Sequence, residues 1–248
     1  MPQLQEYNFN HVYELVDLVD NSVKGSEQFW NYDYARFTNA ATQFSKDTLL
    51  HLYIATTAVN YHRRDFRKNA DLIDENSMEK WYLQFDYYSI KIKKLNSAND
   101  TEKVKWVNKN IRKFEGLFNK MADEVFYILF ANRSFLLAFN NLTAETINGM
   151  KIQKKYLTKR GTIKRKAIPK WVQEAVFHRD KGRCVFCNDD LTGLIGNKAK
   201  TNYDHIVPLD LYGSNDPCNI QLTCESCNKK KANRHGSTSN KYIPWWPK

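Results

Sequence analysis

Apolar residues recur at helical spacing through most of the first 148 positions. Val12, Leu15, Val16 and Val19 keep the i, i+3, i+4, i+7 rhythm of one helix face. Residues 28–60 are rich in aromatics and alanine, and Leu49, Leu50, Leu52 and Ile54 crowd together as in a buried helix. Trp81, Phe85, Tyr88, Ile92 and Leu95 alternate spacings of four and three, with Ser77 placed to cap their start. Val104, Val107, Ile111, Phe114 and Phe118 repeat the pattern after Thr101. Met121 to Phe139 is apolar on most sides, which predicts a central helix. Its purest run, Val125 to Ala131, is too short to span a bilayer. The pattern predicts a bundle of five or six helices without an internal repeat.

The pattern changes near residue 149. Lys151, Lys154, Lys155, Lys159, Arg160, Lys164, Arg165, Lys166 and Lys170 surround Gly161. Like charge at this density resists packing and predicts an extended arm, or a solvated linker that orders on a phosphate backbone. Pro169 then opens a short helix through Trp171, Val172, Ala175, Val176 and Phe177, stopped by Gly182. A strand follows over Thr201 to Val207, then a long loop, a second strand near Asn219 to Leu222, and a helix from about Asn228. Charge follows the same division. Residues 1–148 hold 18 Lys/Arg against 19 Asp/Glu, and residues 149–248 hold 20 against 8, so the whole net charge of +11 sits in the second part. So basic a segment is expected to hold a polyanion, and phosphates are the usual one.

Chemistry-bearing residues concentrate in the same part. All five cysteines lie within residues 184–227, four of them as Cys184-x-x-Cys187 and Cys224-x-x-Cys227. A two-residue gap lets one tight turn present two thiolates, and two such turns complete a tetrahedral zinc site. The Lys181-Gly182-Arg183 turn fits the first knuckle. Cys218 is left over and reads as a small buried residue. Asp204-His205 lies between the pairs, with Asn219 and Asn228 further on. A carboxylate beside an imidazole suits metal-assisted hydrolysis: one holds a hard cation, the other accepts a proton from water. Neighbours on a strand point to opposite faces, so both reach one site only at a strand end or bend. Pro208 and the Gly213-Ser214-Asn215-Asp216-Pro217 cluster supply turns nearby.

These elements, in this order, resemble the HNH endonucleases of the ββα-metal class that carry a four-cysteine zinc. The resemblance covers roughly residues 165–235. It implies that His205 is the general base, that Asp204 and Asn228 hold a catalytic Mg²⁺ or Mn²⁺, and that Asn219 braces the loop and the histidine. It implies a structural zinc on Cys184, Cys187, Cys224 and Cys227. Products with 5′-phosphate and 3′-hydroxyl ends are implied too. Many family members carry histidine where Asn228 stands, and an amide oxygen suits Mg²⁺ better than zinc. At a helix start, Asn228 also fits a plain cap. Lys229, Lys230, Lys231 and Arg234, with Lys164, Arg165 and Lys166 of the arm, are the expected phosphate contacts.

The expected class is α+β: an all-α helical domain over 1–148, a basic linker or arm over 149–170, and a small zinc-stabilised ββα-metal (HNH) module over 171–248. DNA is the expected substrate, with RNA the other polyanion. The competing reading is a zinc-stabilised nucleic-acid-binding module without turnover. Aromatics of the helical half read as core, and His51 and His62 as structural. Its basic cluster Tyr61 to Lys68 reads as a solvated helix face, with a phosphate or partner contact as the alternative. This half is expected to sense, to recognise a target, or to dock a protein partner or second copy, with the nuclease as effector in restriction or phage defence. A polar start (Met1-Pro-Gln-Leu-Gln-Glu) without a signal pattern predicts a cytoplasmic, reducing location and no membrane partner. His178 is expected as a surface or packing residue and His235 at the surface, with a substitute ligand or phosphate contact as the alternative for His235, and the tail through Trp245 and Trp246 is expected to dock back on the module.

Overall fold

A computed structural model describes residues 6–27, 29, 32–95, 99–194 and 201–243. The chain divides into two compact units. The first comprises Met1–Gly25, Phe29–Tyr32 and Leu50–Ile128; the second comprises Ser26–Gln28, Asp33–Leu49 and Leu129–Lys248. Among the described residues, seven α-helices precede residue 150, against five or six expected.

The first unit holds α1 (Tyr13–Lys24), most of α3 (Leu49–Lys68), α4 (Glu75–Tyr87), α5 (Asp100–Lys109) and most of α6 (Ile111–Phe130). Its core is a cluster of rings, with Phe114 meeting Phe85 edge-on at 5.0 Å and Trp81 at 5.3 Å. Helix α4 begins at Glu75, and its cap stands three residues before Ser77. Asp74 is the cap, accepting from the Ser77 backbone N–H at 2.8 Å and from its hydroxyl at 2.7 Å. It also stops well before Leu95. Ser89 takes the left-handed conformation (φ 55°), and Ile90 N–H donates to Phe85 O at 2.7 Å, a Schellman closure that removes Ile92 and Leu95 from the helix.

The expected helix over Met121 to Phe139 is two helices. Asn132 ends the run and caps α7 (Arg133–Gly149), its side chain accepting from Phe135 N–H at 3.1 Å. Hydrophobicity continues across this break because both helices bury apolar residues beside it, Val125 and Leu129 before and Phe135 and Leu136 after, so periodicity alone does not reveal it. No single helix among the described residues is long and apolar enough to cross a membrane.

The second unit holds α2 (Tyr34–Thr42), α7, α8 (Lys170–Arg179), a two-stranded sheet and α9 (Glu225–Lys231). Strands β1 (Thr201–His205) and β2 (Ile220–Cys224) pair antiparallel, with Thr201 opposite Cys224 and His205 opposite Ile220. All five residues of β2 are buried, because α8 and α9 both pack on it. Val172, Val176, Leu191, Ile220 and Leu222 form the core with Cys184 and Cys224, and Trp171 and Phe177 pack against it half-buried. The basic stretch after residue 149 is folded rather than extended. Leu157 bridges Ile163, Gly161 turns at φ 82°, and Thr162 and Ile163 are buried. Its charged residues are exposed, while Ile152, Thr162 and Ile163 are buried and anchor it. Towards the C-terminus, Arg133 on α7 donates to Lys241 O at 2.6 Å and covers the Tyr242 ring at 4.2 Å. Trp245 and Trp246 lie outside the described residues.

Candidate metal centre and nuclease site

The four cysteines of the two knuckles come together, all four Sγ atoms lying within 4.8 Å of one another. Cys187 and Cys224 are 3.6 Å apart. Tetrahedral zinc with bonds of about 2.3 Å needs sulfurs about 3.8 Å apart, while a disulfide needs about 2.0 Å. The donor set therefore fits a structural zinc. Local backbone explains the approach. Gly182 (φ 63°) turns the chain into the first knuckle, where an added Cβ would lie 2.5 Å from Thr192 Cγ2 and 2.9 Å from Phe177 Cζ. Cys224 is the N-cap residue of α9 and Cys227 lies in its first turn. Cys218 is buried outside this cluster, its Sγ 3.9 Å from Thr48 Oγ1.

Between the knuckles, β1 ends at His205 and the chain enters a loop closed by Asn219. The Asn219 side chain is fully buried. Its Oδ1 accepts from Val207 N–H at 2.8 Å, and its Nδ2 donates to Val207 O and Ser214 O, each at 3.0 Å. Gly213 makes the loop possible, since a Cβ there would lie 2.0 Å from Val207 O. The neighbouring turn is tied down from distant segments. Asn215 N–H donates to Ala41 O at 2.8 Å, Asp216 accepts from Leu49 N–H at 2.8 Å, and Asn140 on α7 donates to Cys218 O at 2.9 Å.

His205 is 1% exposed. Burial first, then the Arg165 guanidinium, push its pKa down to about 3; a hydrogen bond with Asn215 opposes this, and Lys231 adds to it. Arg165 NH1 lies 3.5 Å from His205 Nδ1. Nε2 is buried without a hydrogen-bond partner among the described residues. The burial departs from the solvent-facing base that sequence reasoning expects.

Asp204 and Lys231 show a second departure. Lys231, expected at the surface beside a phosphate, has a side chain only 3% exposed. Its ammonium donates to His205 O at 2.7 Å and pairs with Asp204 Oδ2 at 2.9 Å. Gln221, directly across the sheet from Asp204, donates to the same Oδ2 at 3.2 Å. Asp204 Oδ1 has no partner among the described residues, and Gln221 Oε1 is buried without one. Asn228 is the fourth residue of α9, not its cap; Cys224 holds that place because the helix starts as soon as the knuckle closes. The capping explanation of Asn228 thus falls away. These carboxylate and amide oxygens are hard donors, of the kind Mg²⁺ and Mn²⁺ take. Lys229, Lys230, Arg234, Lys164, Arg165 and Lys166 are exposed, as are His178 and His235. Lys229 pairs with Glu225 at 2.9 Å.

Sequence reasoning overlooked two contributors, Asn215, read only as part of a turn, and Gln221, which flanks the acidic residue, and it gave Lys231 to a phosphate rather than to Asp204. Gln221 had one usable signal, since it stands two residues after Asn219 on the predicted second strand and so shares a face with it.

Residues 184–234 match the protein family described as HNH endonuclease. No curated protein and no solved structure matches the chain. The matched stretch contains both cysteine pairs, Asp204, His205, Asn219 and Asn228, and at family level it supports nuclease activity and a nucleic acid as the polymer acted on.

Proposed function

We propose that the second unit is a metal-dependent endonuclease that hydrolyses DNA phosphodiester bonds, with His205 as the general base. The observation that carries this reading is His205 Nε2, a buried ring nitrogen with no partner among the described residues on a ring kept neutral. His205 Nε2 takes a proton from water, the water oxygen attacks phosphorus, and the P–O3′ bond breaks. The 3′ oxygen then takes a proton from solvent, leaving 5′-phosphate and 3′-hydroxyl ends. Asn219 holds the loop that positions the ring. Asp204 and Asn228 are the residues to hold Mg²⁺ or Mn²⁺, which when bound stabilises negative charge on the phosphate and leaving oxygen. Arg165 covers the imidazole in the resting protein, and an incoming phosphodiester competes for its guanidinium and uncovers the ring. Lys229, Lys230 and Arg234 add phosphate contacts that carry affinity without sequence preference.

One observation favours a second reading, a zinc-stabilised nucleic-acid-binding module without turnover. His205 is buried and Asp204 is already paired with an internal ammonium. Supercoiled plasmid separates the two. The wild type is expected to nick it with Mg²⁺ or Mn²⁺ and not without, while His205→Ala binds as well and nicks at least roughly 10²-fold more slowly. A wild type that binds but never nicks, on DNA or on RNA, establishes the holding module instead.

A further inference from the structure

The basic cluster at the end of α3 is not a plain solvated face. Asn60, Arg63, Arg64 and Arg67 follow i, i+3, i+4, i+7 and so share one side of the helix. They line a cleft of about 400 Å³ whose other wall is α5, through Val104, Val107 and Asn108. Phe66 and Val107 are buried at its apolar floor. Arg63 Nε donates to Asn108 Oδ1 at 3.2 Å, which holds one guanidinium across the cleft. Arg64 lies 5.9 Å from the Tyr61 ring centre. Among the described residues none of the three arginines pairs with a carboxylate, and no acidic residue lines the cleft.

Favourable placement at a helix C-terminus accounts for Arg67 and Lys68, which lie in the last turn of α3. It does not account for Arg63 and Arg64, a turn earlier. Three exposed guanidiniums line this one cleft, and an anion shared among them relieves the repulsion that solvent only partly screens. Planar forks of this kind match phosphate oxygens bidentately. The larger cavity of the same unit, about 670 Å³, offers a contrast: Glu14, Asp17 and Asp65 line it against Lys80 alone, so it disfavours anions.

We propose that the cleft between α3 and α5 binds a phosphate group carried by a nucleotide unit, with the guanidiniums of Arg63, Arg64 and Arg67 on the phosphate oxygens and the apolar floor beneath the attached nucleoside. The chemistry is shared by a free nucleotide and by a nucleic-acid strand. It does not depend on catalysis in the second unit.

The test uses the full chain with its zinc, without added Mg²⁺ or Mn²⁺, so that binding is read in the absence of cleavage. ATP is titrated calorimetrically, and a 20-base-pair duplex is titrated over a series of salt concentrations. The variants are Arg64→Gln/Arg67→Gln, which leaves the Arg63–Asn108 contact in place, and Asn108→Asp, which sets a carboxylate into the cleft. Both alter exposed side chains, and their melting curves are expected to match the wild type. For a free nucleotide, ATP affinity falls roughly tenfold per lost guanidinium in the double variant and also falls in Asn108→Asp. For a strand, ATP shows no saturable binding, and the slope of log affinity against log salt is shallower by about 2 in the double variant. If neither ATP affinity nor duplex slope differs between wild type and both variants, the proposal is overturned. Plasmid nicking by the wild type is scored separately, so failure of the nuclease reading leaves this result unaffected.

Discussion

Asn219→Ala removes the side chain that closes the His205 loop. Three hydrogen bonds disappear, at 2.8, 3.0 and 3.0 Å, and all are buried. Alanine offers nothing in return, so Val207 N–H, Val207 O and Ser214 O lose their side-chain partner in the interior. Each such loss costs about 1–1.5 kcal/mol net, and more where the abandoned group stays dry. The sum is about 3–5 kcal/mol. A domain of this size loses roughly 3–4 °C in melting temperature per kcal/mol, so a fall of about 10–20 °C is expected. The assay is thermal unfolding of zinc-loaded wild type, Asn219→Ala and Asn219→Asp, with nicking measured well below the lowest midpoint. The aspartate keeps the acceptor for Val207 N–H but loses both donors and buries a charge, so it is expected to rescue little. Nicking should fall with the loop, because His205 lies two residues before Val207. A melting temperature within a few degrees of wild type would refute the bracing argument, and if nicking were lost at the same time it would place Asn219 in the chemistry itself.

Other outcomes follow from the same geometry. Cys184→Ser and Cys227→Ser should each abolish zinc retention, read by metal analysis, and with it the cooperative unfolding of the second unit, since binding and folding are coupled at such sites; a folded, zinc-free variant would contradict this. Lys231→Met should destabilise by about 2–4 kcal/mol, because it strands the Asp204 carboxylate and the His205 carbonyl, while Lys230→Met at an exposed position should stay within about 0.5 kcal/mol. Equal urea midpoints for the two would remove the internal role of Lys231. His62, stacked on Phe118 at 5.3 Å, has its pKa lowered from 6.5 to about 4 by burial, with Asp65 opposing. The folded state refuses a proton that the unfolded chain accepts, so its contribution is complete above pH 6.5 and is lost as pH falls toward 4. That interval corresponds to at most roughly 3 kcal/mol. Urea unfolding at pH 7 and 4.5 should therefore show His62→Phe losing less stability on acidification than the wild type, and equal losses would rule the histidine out as a source of acid sensitivity.

Much of the molecule is legible in residue order. The zinc ligands can be read because a Cys-x-x-Cys knuckle closes within one turn, and α8 because Pro169 and Gly182 punctuate it. The helix ends are less so. Ser89 is an ordinary residue in a left-handed conformation, and Asn132 interrupts an apolar run that continues on both sides. The polar surroundings of His205 are the least legible, since Asn215, Gln221 and Lys231 carry no periodic signal.

By itself, then, the order of residues determined the helical class, the cysteine-bracketed module that fits zinc, and the concentration of positive charge. These depend on spacings of two to four residues, which local geometry enforces. Only the tertiary structure decided that residues 33–49 and 129–149 belong with the module, through contacts such as Asn215 to Thr42 across 173 positions. It also decided that His205 is buried beneath Arg165 and that Lys231 turns inward to Asp204. Burial and pairing at that range come from the packing of whole elements, and no short stretch of sequence contains them.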